Sequence, residues 1–348
     1  MKKILFSTTK NWNVGDEIIL AGIKNLLRKL DLEFTSVIWN RHPSINPGNM
    51  GLDNSFDVKR HKITAIDYII IAGTPDWASP RNLPLFAKIL GTSKKVAFIG
   101  IGCSSPPFLF DGNRILMEVM KKHTELIITR DKNTFLSIKN TFDRFNSATK
   151  VKNYFPEVYL KPCPALFAST KVRKVTSANT VGIVFQTIRT RSNSISRQLF
   201  KSVMKLYKSI YKEFRVRLIC HYIDDFVDAF KFFPKAELLY SPELNDYYDF
   251  YGSVDLTIGT RLHGAIFALS QGIPAILLSD KDNFRVRNAA RPFEYGLYHF
   301  TLPSDKQKFK NLIENLDIGN VSTAILEFKN KSEIDMGGLV RDNLSLFK

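Results

Sequence analysis

The stretch VDLTIGTRLHGAIFALSQGIPAILLS, from Val254 to Ser279, decides the fold class of this chain. It opens with an apolar strand pattern, turns at Thr260 and Arg261, and continues as an apolar helix that Gly272 ends. A second apolar strand follows from Pro274. A strand, a helix and another strand in this order predict a βαβ unit of a parallel sheet.

The same alternation of strand and helix patterns extends over the rest of the chain. The strands are apolar throughout, which is typical of a parallel sheet that is covered on both faces. The pattern pauses from about Asn140 to Asn179, where the sequence is irregular and rich in Pro, Lys, Ser and Thr. We therefore predict an α/β protein with two doubly wound, Rossmann-like domains that face a cleft. The predicted boundaries are 1–160 for the N-terminal domain, 161–179 for a junction, and 180–348 for the C-terminal domain, whose last helices could pack back on the first.

Composition narrows the class of protein. The chain has 348 residues, of which 44% are hydrophobic and 24% are charged, so it can bury sizeable cores. Its three cysteines, Cys103, Cys163 and Cys220, lie far apart, which argues against a disulfide framework and a structural zinc site. The N-terminal apolar run is shorter than a secretory signal, and no run approaches the roughly 20 residues of a membrane span. These features predict a soluble, cytoplasmic protein.

The charge of the chain predicts anionic partners. Lys and Arg number 50 against 33 Asp and Glu, which gives a formal net charge of +17. The positive residues are dispersed, and the sequence carries no helix-turn-helix, zinc-finger or RNA-binding signature, so a nucleic-acid partner is not expected. Two interpretations stay open: peripheral contact with an anionic membrane at its inner face, and solvated charge without a role.

Candidate site residues follow strands, because ligands of doubly wound folds bind outside the carboxyl ends of the strands. In TTKNWNVGDE, Gly15 allows a close approach of the backbone and Asp16 lies where an N-cap would, although capping alone would explain it. In AGTPDW, Gly73 and Asp76 follow another buried strand, where a simple turn is the alternative.

Two further strand ends place an arginine before a helix. Arg130 ends the strand ELIITR, and Asp131 can cap the next helix; a surface ion pair between the two is the alternative. Arg261 and His263 flank the start of the helix in the opening stretch, whose unpaired N–H groups attract an anion. A cation opposes the helix dipole at this end, so a bound anion would relieve the conflict. For His263, an ordinary core histidine is the alternative.

Together these motifs resemble the polysaccharide pyruvyl transferases. The resemblance extends in order over roughly Lys3 to Leu278 and rests on NVGD, GIG, ITRD and, most specifically, on DLTIGTRLHGAIFALSQGIPAI. One departure is that the glycine run of the family after the third strand is replaced by Ala72-Gly73-Thr74-Pro75. The resemblance implies a glycosyltransferase-B-like fold. It also implies transfer of the enolpyruvyl group of phosphoenolpyruvate to a sugar of a cell-surface or exopolysaccharide precursor, which forms a pyruvate ketal and releases phosphate.

The implied chemistry assigns roles to the candidates. The phosphate and carboxylate of the donor need fixed cations and helix-end amides, and protonation of the enol methylene needs an acid such as histidine. The candidates are His263 and Asp16 for catalysis; Arg261, Arg130, Gly264 and Arg189 for donor binding; and Gly15, Asn13, Gly73 and Asp76 for the acceptor side or cleft. His263 donates the proton or contacts phosphate. Arg189 is the weakest of these candidates, since a solvated loop charge explains it equally well.

The sequence predicts no cofactor and no metal. Phosphoenolpyruvate is a co-substrate, and the second substrate is a glycan or a lipid-linked oligosaccharide. No phosphate-binding loop, dinucleotide fingerprint or metal-ligand spacing is present in the sequence. Two rival functions stay open. One is a nucleotide-sugar-dependent glycosyltransferase of the same fold, for which SDKD (Ser279–Asp282) could hold a ribose; the other is a non-catalytic protein that binds anionic glycan or nucleic acid.

Overall fold

A computed structural model describes residues 1–9, 14–41, 63–73, 78, 82–102, 114–149, 155–188, 195–280, 283, 286, 290, 296–302, 312 and 315–348. Two parallel six-stranded sheets, with α-helices between most successive strands of the described residues, form the core of the protein. This architecture confirms the predicted α/β class with two Rossmann-like domains.

The first sheet is built from the N-terminal half of the chain. Its strands are β1 (Lys2–Thr8), β2 (Phe34–Asn40), β3 (Tyr68–Ala72), β4 (Lys95–Ile101), β5 (Thr124–Thr129) and β6 (Val158–Leu160). The helices between them are α1 (Val14–Lys29), α2 (Leu83–Leu90), α3 (Arg114–Lys122) and α4 (Lys132–Thr149). The strand order is β2-β1-β3-β4-β5-β6, so the direction of winding reverses between β1 and β3.

The second sheet is built from the C-terminal half. Its strands are β7 (Thr180–Phe185), β8 (Arg215–Cys220), β9 (Glu237–Leu239), β10 (Leu256–Gly259), β11 (Ala275–Ser279) and β12 (Leu297–Thr301). The helices are α5 (Arg197–Glu213), α6 (Ile223–Phe232), α7 (Leu244–Gly252), α8 (Leu262–Ser270) and α9 (Ile318–Asn343). The strand order is β12-β11-β10-β7-β8-β9, and the winding reverses between β7 and β10. In both sheets this reversal is where doubly wound proteins bind ligands.

The central strands are buried because helices cover both faces of each sheet. Every residue of β3 (YIIIA) and of β11 (AILLS) is buried. Each sheet has its own hydrophobic core, one formed mainly by β1 to β5 with their helices and one formed mainly by β7 to β11 with theirs. The apolar strands in the sequence therefore predicted the parallel sheets correctly.

The opening stretch folds into β10, α8 and β11 as predicted. Gly272 ends the helical segment with a φ of +84°, and a Cβ there would lie 2.4 Å from the main-chain oxygen of Arg173, so only glycine fits. The Nζ of Lys329 donates to the carbonyl oxygens of Ser270, at 2.6 Å, and Ser169, at 2.7 Å. A positive charge at the C-terminus of α8 complements the helix dipole and fixes the helix in place.

The predicted irregular stretch between the domains is partly wrong. Helix α4 continues to Thr149, and β6 adds an edge strand to the first sheet. The chain divides into two compact units, one of Met1–Trp12, Ile19–Pro164 and Ser332–Lys348, the other of Asn13–Ile18 and Ala165–Lys331. The sequence pattern did not reveal α4 beyond Asn140 or β6, because the helix is polar there and the strand has only three residues.

Within the first unit, the end of the chain packs against the first sheet and its helices. Glu333 pairs with Lys29 at 2.6 Å, and Asp335 pairs with Lys161 at 2.7 Å. The main-chain N–H of Ser345 donates to a carboxylate oxygen of Glu125 at 2.9 Å.

Candidate functional site

The reversal point of the second sheet brings together the loops that follow β7 and β10. Gln186 and Thr187 follow β7, and Thr260 and Arg261 follow β10. The hydroxyl of Thr260 donates to Oε1 of Gln186 at 2.6 Å, which ties the two loops together across the reversal point. Because β7 and β10 are neighbours in the sheet, the loops lie side by side at the predicted ligand-binding edge.

Arg261 is buried at this point and is held by two neighbours. Its guanidinium forms an ion pair with Asp225, and it lies over the ring of Tyr222 with 4.6 Å from Cζ to the ring centroid. The side chain of Arg261 is 8% exposed and that of Asp225 is 0% exposed. Asp225 thus supplies an opposite charge from within the protein, so the conflict between Arg261 and the helix dipole is already offset without a bound anion.

Helix α6 supplies the carboxylates that organise this edge. Asp225 also accepts a hydrogen bond from the main-chain N–H of Thr187 at 2.9 Å. One turn further along the helix, Asp228 accepts from the hydroxyl of Thr187. Two buried aspartates on one face of α6 thus hold the loop after β7, and one of them also holds Arg261. The sequence analysis missed both, although HYIDDF directly after the apolar strand VRLIC was a visible signal.

Next to this network lies a buried pair of neutral side chains. Nε2 of His221 and the hydroxyl of Tyr251 share a hydrogen bond of 2.8 Å. Burial first, and the charge of Arg261 second, hold the pKa of His221 well below 6.5, and burial raises the pKa of Tyr251. A Cβ on Gly264 would lie 2.6 Å from the hydroxyl oxygen of Tyr251. Gly264 is therefore needed for α8 to pack here, and its assignment to donor binding stays a prediction.

His263 differs in solvent exposure from its neighbours in the opening stretch. From Leu256 to Ser279, every residue is buried except His263. It is the second residue of α8, in the turn whose main-chain N–H groups lack partners within the helix. His263 is therefore the one partly exposed residue of this segment, which does not favour the alternative of an ordinary core histidine.

At the reversal point of the first sheet, the structure describes three of the predicted residues. Gly15 and Asp16 are buried in the first turn of α1, after β1. Asp16 is the third residue of the helix rather than its N-cap, because the helix already begins at Val14. Gly73 follows β3, and a Cβ there would lie 1.9 Å from the main-chain oxygen of Gly100, so close packing of the two chain segments requires the glycine.

Arg130 follows β5 and is also buried, with 1% of the residue exposed. A Cβ on Gly102, after β4, would lie 2.6 Å from its Nε. Asp131 is buried too and caps α4, accepting from the main-chain N–H and the hydroxyl of Thr134, both at 2.8 Å. This confirms the predicted cap and contradicts the alternative of a surface ion pair. Because β5 is two strands from β3, Arg130 starts roughly 10 Å from the reversal point.

Sequence analysis also missed a second buried arginine in the first sheet. Arg41 directly follows β2, is 2% exposed, and donates from Nη1 to the main-chain oxygen of Ala72 at 3.3 Å. The signal was the same as for Arg130, an arginine directly after an apolar strand.

Three predicted residues, Asn13, Asp76 and Arg189, lie outside the described residues. In the described part of the chain, no group of three or more His, Cys, Asp or Glu is placed to hold a metal ion. The described helices include none that is long and apolar enough to cross a membrane.

Comparison with solved structures defines the class of fold. The chain is similar to S. aureus MnaA in complex with UDP (TM-score 0.60, 14% identity, covering 99% of this chain and 98% of that one). It is also similar to HepE of Anabaena in complex with UDP (TM-score 0.56, 11% identity, 99% and 100% covered). A UDP-GlcNAc 2-epimerase of Neisseria meningitidis bound to UDP-GlcNAc gives a TM-score of 0.51 at 13% identity, with 94% and 100% covered. The fold is glycosyltransferase-B-like, with two Rossmann-like domains.

A family model then identifies the protein more closely. The model of the polysaccharide pyruvyl transferases matches residues 13–282, which include β3, the reversal point of the second sheet and the whole RLH segment. The chain belongs to the polysaccharide pyruvyl transferase family and is a transferase. A search of curated proteins finds no match.

Proposed function

We propose that this protein transfers the enolpyruvyl group of phosphoenolpyruvate to a sugar of a polysaccharide precursor and forms a pyruvate ketal. The observation that carries the proposal is the partial exposure of His263 within a segment that is otherwise buried from Leu256 to Ser279. A titratable group presented alone at a helix N-terminus, at the reversal point of a Rossmann-like sheet, suits the protonation of an anionic donor.

The overall reaction balances without a further reactant. His263 protonates the methylene carbon of phosphoenolpyruvate, which becomes a methyl group and leaves C2 electrophilic. Two hydroxyls of one sugar form two C–O bonds to C2, and the bond between C2 and the phosphate oxygen breaks. Of the two hydroxyl protons, one replaces the proton that His263 gave to the methyl group and the other leaves with phosphate. The products are the ketal and hydrogen phosphate.

Arg261 is suited to fix the carboxylate or phosphate of the donor. Its guanidinium carries five N–H donors in one plane, and Asp225 and Tyr222 hold that plane in one orientation. A cation fixed before the donor arrives needs no reorganisation during the reaction, which is what makes electrostatic stabilisation effective. The N–H groups of the first turn of α8 add further donors. Arg130, which is buried after β5, stays a prediction for donor binding.

The acceptor side is assigned to the reversal point of the first sheet. Asp16 is a carboxylate in the first turn of α1, the helix that follows β1, and it is proposed to orient the attacking hydroxyl. Gly15 and Gly73, with Asn13 and Asp76, are proposed to line this side. The proposed acceptor is a sugar of a lipid-linked oligosaccharide or another cell-surface glycan precursor.

The experiment is release of phosphate from phosphoenolpyruvate, measured with a panel of lipid-linked and free glycans, with mass spectrometry of the products. We expect phosphate release that depends on one class of glycan, together with a pyruvate ketal on that glycan. His263→Gln at equal concentration is the control for contaminating phosphatase. Phosphate release without a modified glycan, or release that is equal in both proteins, would contradict the proposal.

A second candidate is a nucleotide-sugar enzyme, because two proteins of similar fold are described in complex with UDP. The melting temperature of the protein with phosphoenolpyruvate or with UDP separates the two candidates. A ligand at 100 times its dissociation constant stabilises a folded protein by about 2.7 kcal/mol. We expect the increase with phosphoenolpyruvate, and an increase with UDP alone would favour the second candidate.

A further inference from the structure

Helix α6 exposes apolar side chains where a surface helix normally has polar ones. Ile223, Val227 and Phe230 are 52%, 45% and 59% exposed. Their spacing of four and three residues places them in one stripe along the helix. The inner face of the same helix carries the buried Asp225 and Asp228, which organise the loop after β7 and Arg261. The apolar stripe is therefore the outer face of a helix whose inner face serves the candidate site.

The neighbouring helix α5 exposes a stripe of positive charge. Arg197, Lys201, Lys205, Lys208 and Lys212 are all exposed, and their spacing of four, four, three and four residues keeps them within one side of the helix. No acidic residue occurs in α5 before Glu213, its last residue. Like charges at this spacing repel each other and destabilise a helix. Such a stripe, unlike the mixed charge of an ordinary solvated face, is stabilised by an anionic partner.

The two stripes belong to one surface, because α5 and α6 are adjacent. The rings of Phe200 on α5 and Phe232 on α6 are 5.8 Å apart between centroids. Tyr211 of α5 and Phe233, at the end of α6, are also 5.8 Å apart. We call the exposed residues of the two stripes the α5–α6 face. It places a row of cations beside a row of apolar side chains.

We propose that the α5–α6 face docks on the surface of an anionic lipid membrane. Basic side chains bind anionic headgroups, while Phe and aliphatic side chains enter the boundary between headgroups and acyl chains. A symmetric contact with a second copy of this chain is less suitable, because it would place the lysine stripe of one copy against that of the other. Through Asp225, the docked helix is joined to the candidate donor site. If the proposed function holds, docking also brings that site to a lipid-linked acceptor.

The test is sedimentation with vesicles of phosphatidylcholine alone or mixed with phosphatidylserine, at low and high salt. The variants are Lys205→Gln with Lys208→Gln, and Phe230→Ser. Lys171→Gln with Lys174→Gln is the matched control, since it removes the same charge from exposed positions of the same unit. We expect the α5 double variant to bind phosphatidylserine vesicles at least about tenfold more weakly, and the control to match the wild type. Phe230→Ser should lose several-fold in affinity, including at high salt, because apolar burial is not screened.

Several results would overturn the proposal. One is failure of the wild type to bind phosphatidylserine vesicles. Another is an equal loss of vesicle affinity in the control and the α5 double variant. A third is a change of oligomeric state with Phe230→Ser, measured by light scattering. The last result would assign the face to a second copy of the chain. Phosphate release with a soluble glycan should be the same in all these variants. A failure of the docking proposal is thereby distinguished from a failure of the proposed function, which would abolish that release in the wild type.

Discussion

The carboxyl edges of the two sheets both bury an arginine, but they place it differently. Arg130 follows β5, two strands away from the point where the first sheet reverses its winding. Arg261 follows β10 at the reversal of the second sheet, where Asp225 and Tyr222 hold it. Since doubly wound sheets bind ligands at the reversal point, the strand order makes Arg261 a better candidate for ligand binding than Arg130. An arginine after a strand indicates a site only together with the place of that strand in the sheet.

The largest expected effect follows from removing His263, the proposed general acid, and it tests the contrast between the two sheets. His263→Gln keeps a polar side chain of similar size but removes the titrating proton, so we expect turnover to fall by about two to four orders of magnitude. Asp16→Asn, at the reversal of the first sheet, should instead raise the KM for the glycan, because Asp16 is assigned to the acceptor. Initial rates over a range of both substrates measure the two effects.

Thermal melting of both variants is the control for this comparison. Because His263 is partly exposed, its replacement should leave the melting temperature close to that of the wild type. A His263→Gln variant that is folded and turns over at the wild-type rate would remove this histidine from the reaction. An equal rise in the glycan KM for both variants would contradict the assignment of donor and acceptor to different sheets.

The next largest effect concerns stability. Arg261→Met leaves the buried Asp225 without its opposite charge, and we expect a loss of about 3–5 kcal/mol in the free energy of unfolding. The double variant Arg261→Met with Asp225→Leu should recover much of that loss, because it removes both charges. Urea unfolding of the two single variants, the double variant and the wild type forms a double-mutant cycle.

Arg261→Lys separates the catalytic role from the stabilising one. It keeps the charge but loses the planar fork, so turnover per unit donor should fall by about one to two orders of magnitude while much of the stability remains. Additive losses in the cycle would show that the pair does not stabilise the fold. In that case the contrast between Arg261 and Arg130 would rest on strand order alone.

A smaller effect is expected from replacing the glycines that leave room for the side chains near each site. A Cβ on Gly264 would lie 2.6 Å from the buried Tyr251 hydroxyl, and one on Gly102 would lie 2.6 Å from Arg130 Nε. Alanine at either position should destabilise the protein by about 1–3 kcal/mol through overpacking. Gly338 is the matched control, because nothing lies within 4 Å of its Cβ position and it lies inside helix α9. Gly338→Ala should be neutral or stabilise by up to about 1 kcal/mol.

Urea unfolding of the three alanine variants measures these differences. Equal stability of Gly264→Ala and Gly338→Ala would mean that α8 can move away from Tyr251 without loss. Gly264 would then no longer be explained by packing, and its role in donor binding would become the better interpretation.

The sequence predicted most of the fold because the physical signal of a buried parallel strand is strong. Ten strands were visible as short runs that are mainly apolar. The two that were missed lie at sheet edges: β6 has three residues, and β12 (LYHFT) is mostly half-buried and mixes polar with apolar side chains. β2 and β9 also lie at sheet edges but were recognised from the apolar runs FTSVIW and AELLYS, so it is the mixed polar and apolar sequence around β6 and β12 that hid them.

The site was only partly predictable, for a different reason. Arg261, His263 and Asp131 stand next to strand ends, so local rules found them. Asp225 is separated from Arg261 by 36 residues in sequence, and only the packing of α6 brings the two together. Helical periodicity also predicted the wrong buried face for α6, because this helix buries its aspartates and exposes its apolar stripe. A rule that buries the apolar face of a helix therefore cannot find this counter-ion.

The smallest expected effect is the pH dependence of stability that the buried His221 gives to the second sheet. Its pKa in the folded protein lies well below 6.5, mainly because burial disfavours the imidazolium. In the unfolded chain the histidine titrates near its ordinary pKa of about 6.5. Below that pH the unfolded chain binds a proton that the folded protein does not, so stability falls as the pH falls. The contribution is complete above about pH 6.5 and decreases by at most about 1.4 kcal/mol per pH unit below it.

His221→Gln keeps an amide that can hydrogen-bond to Tyr251 but does not titrate, so its unfolding free energy should show a shallower slope between about pH 7 and pH 5. Urea unfolding at several pH values measures both slopes. Identical slopes would mean that His221 can be protonated without unfolding the protein, and that the second reversal point opens to water more readily than its burial indicates.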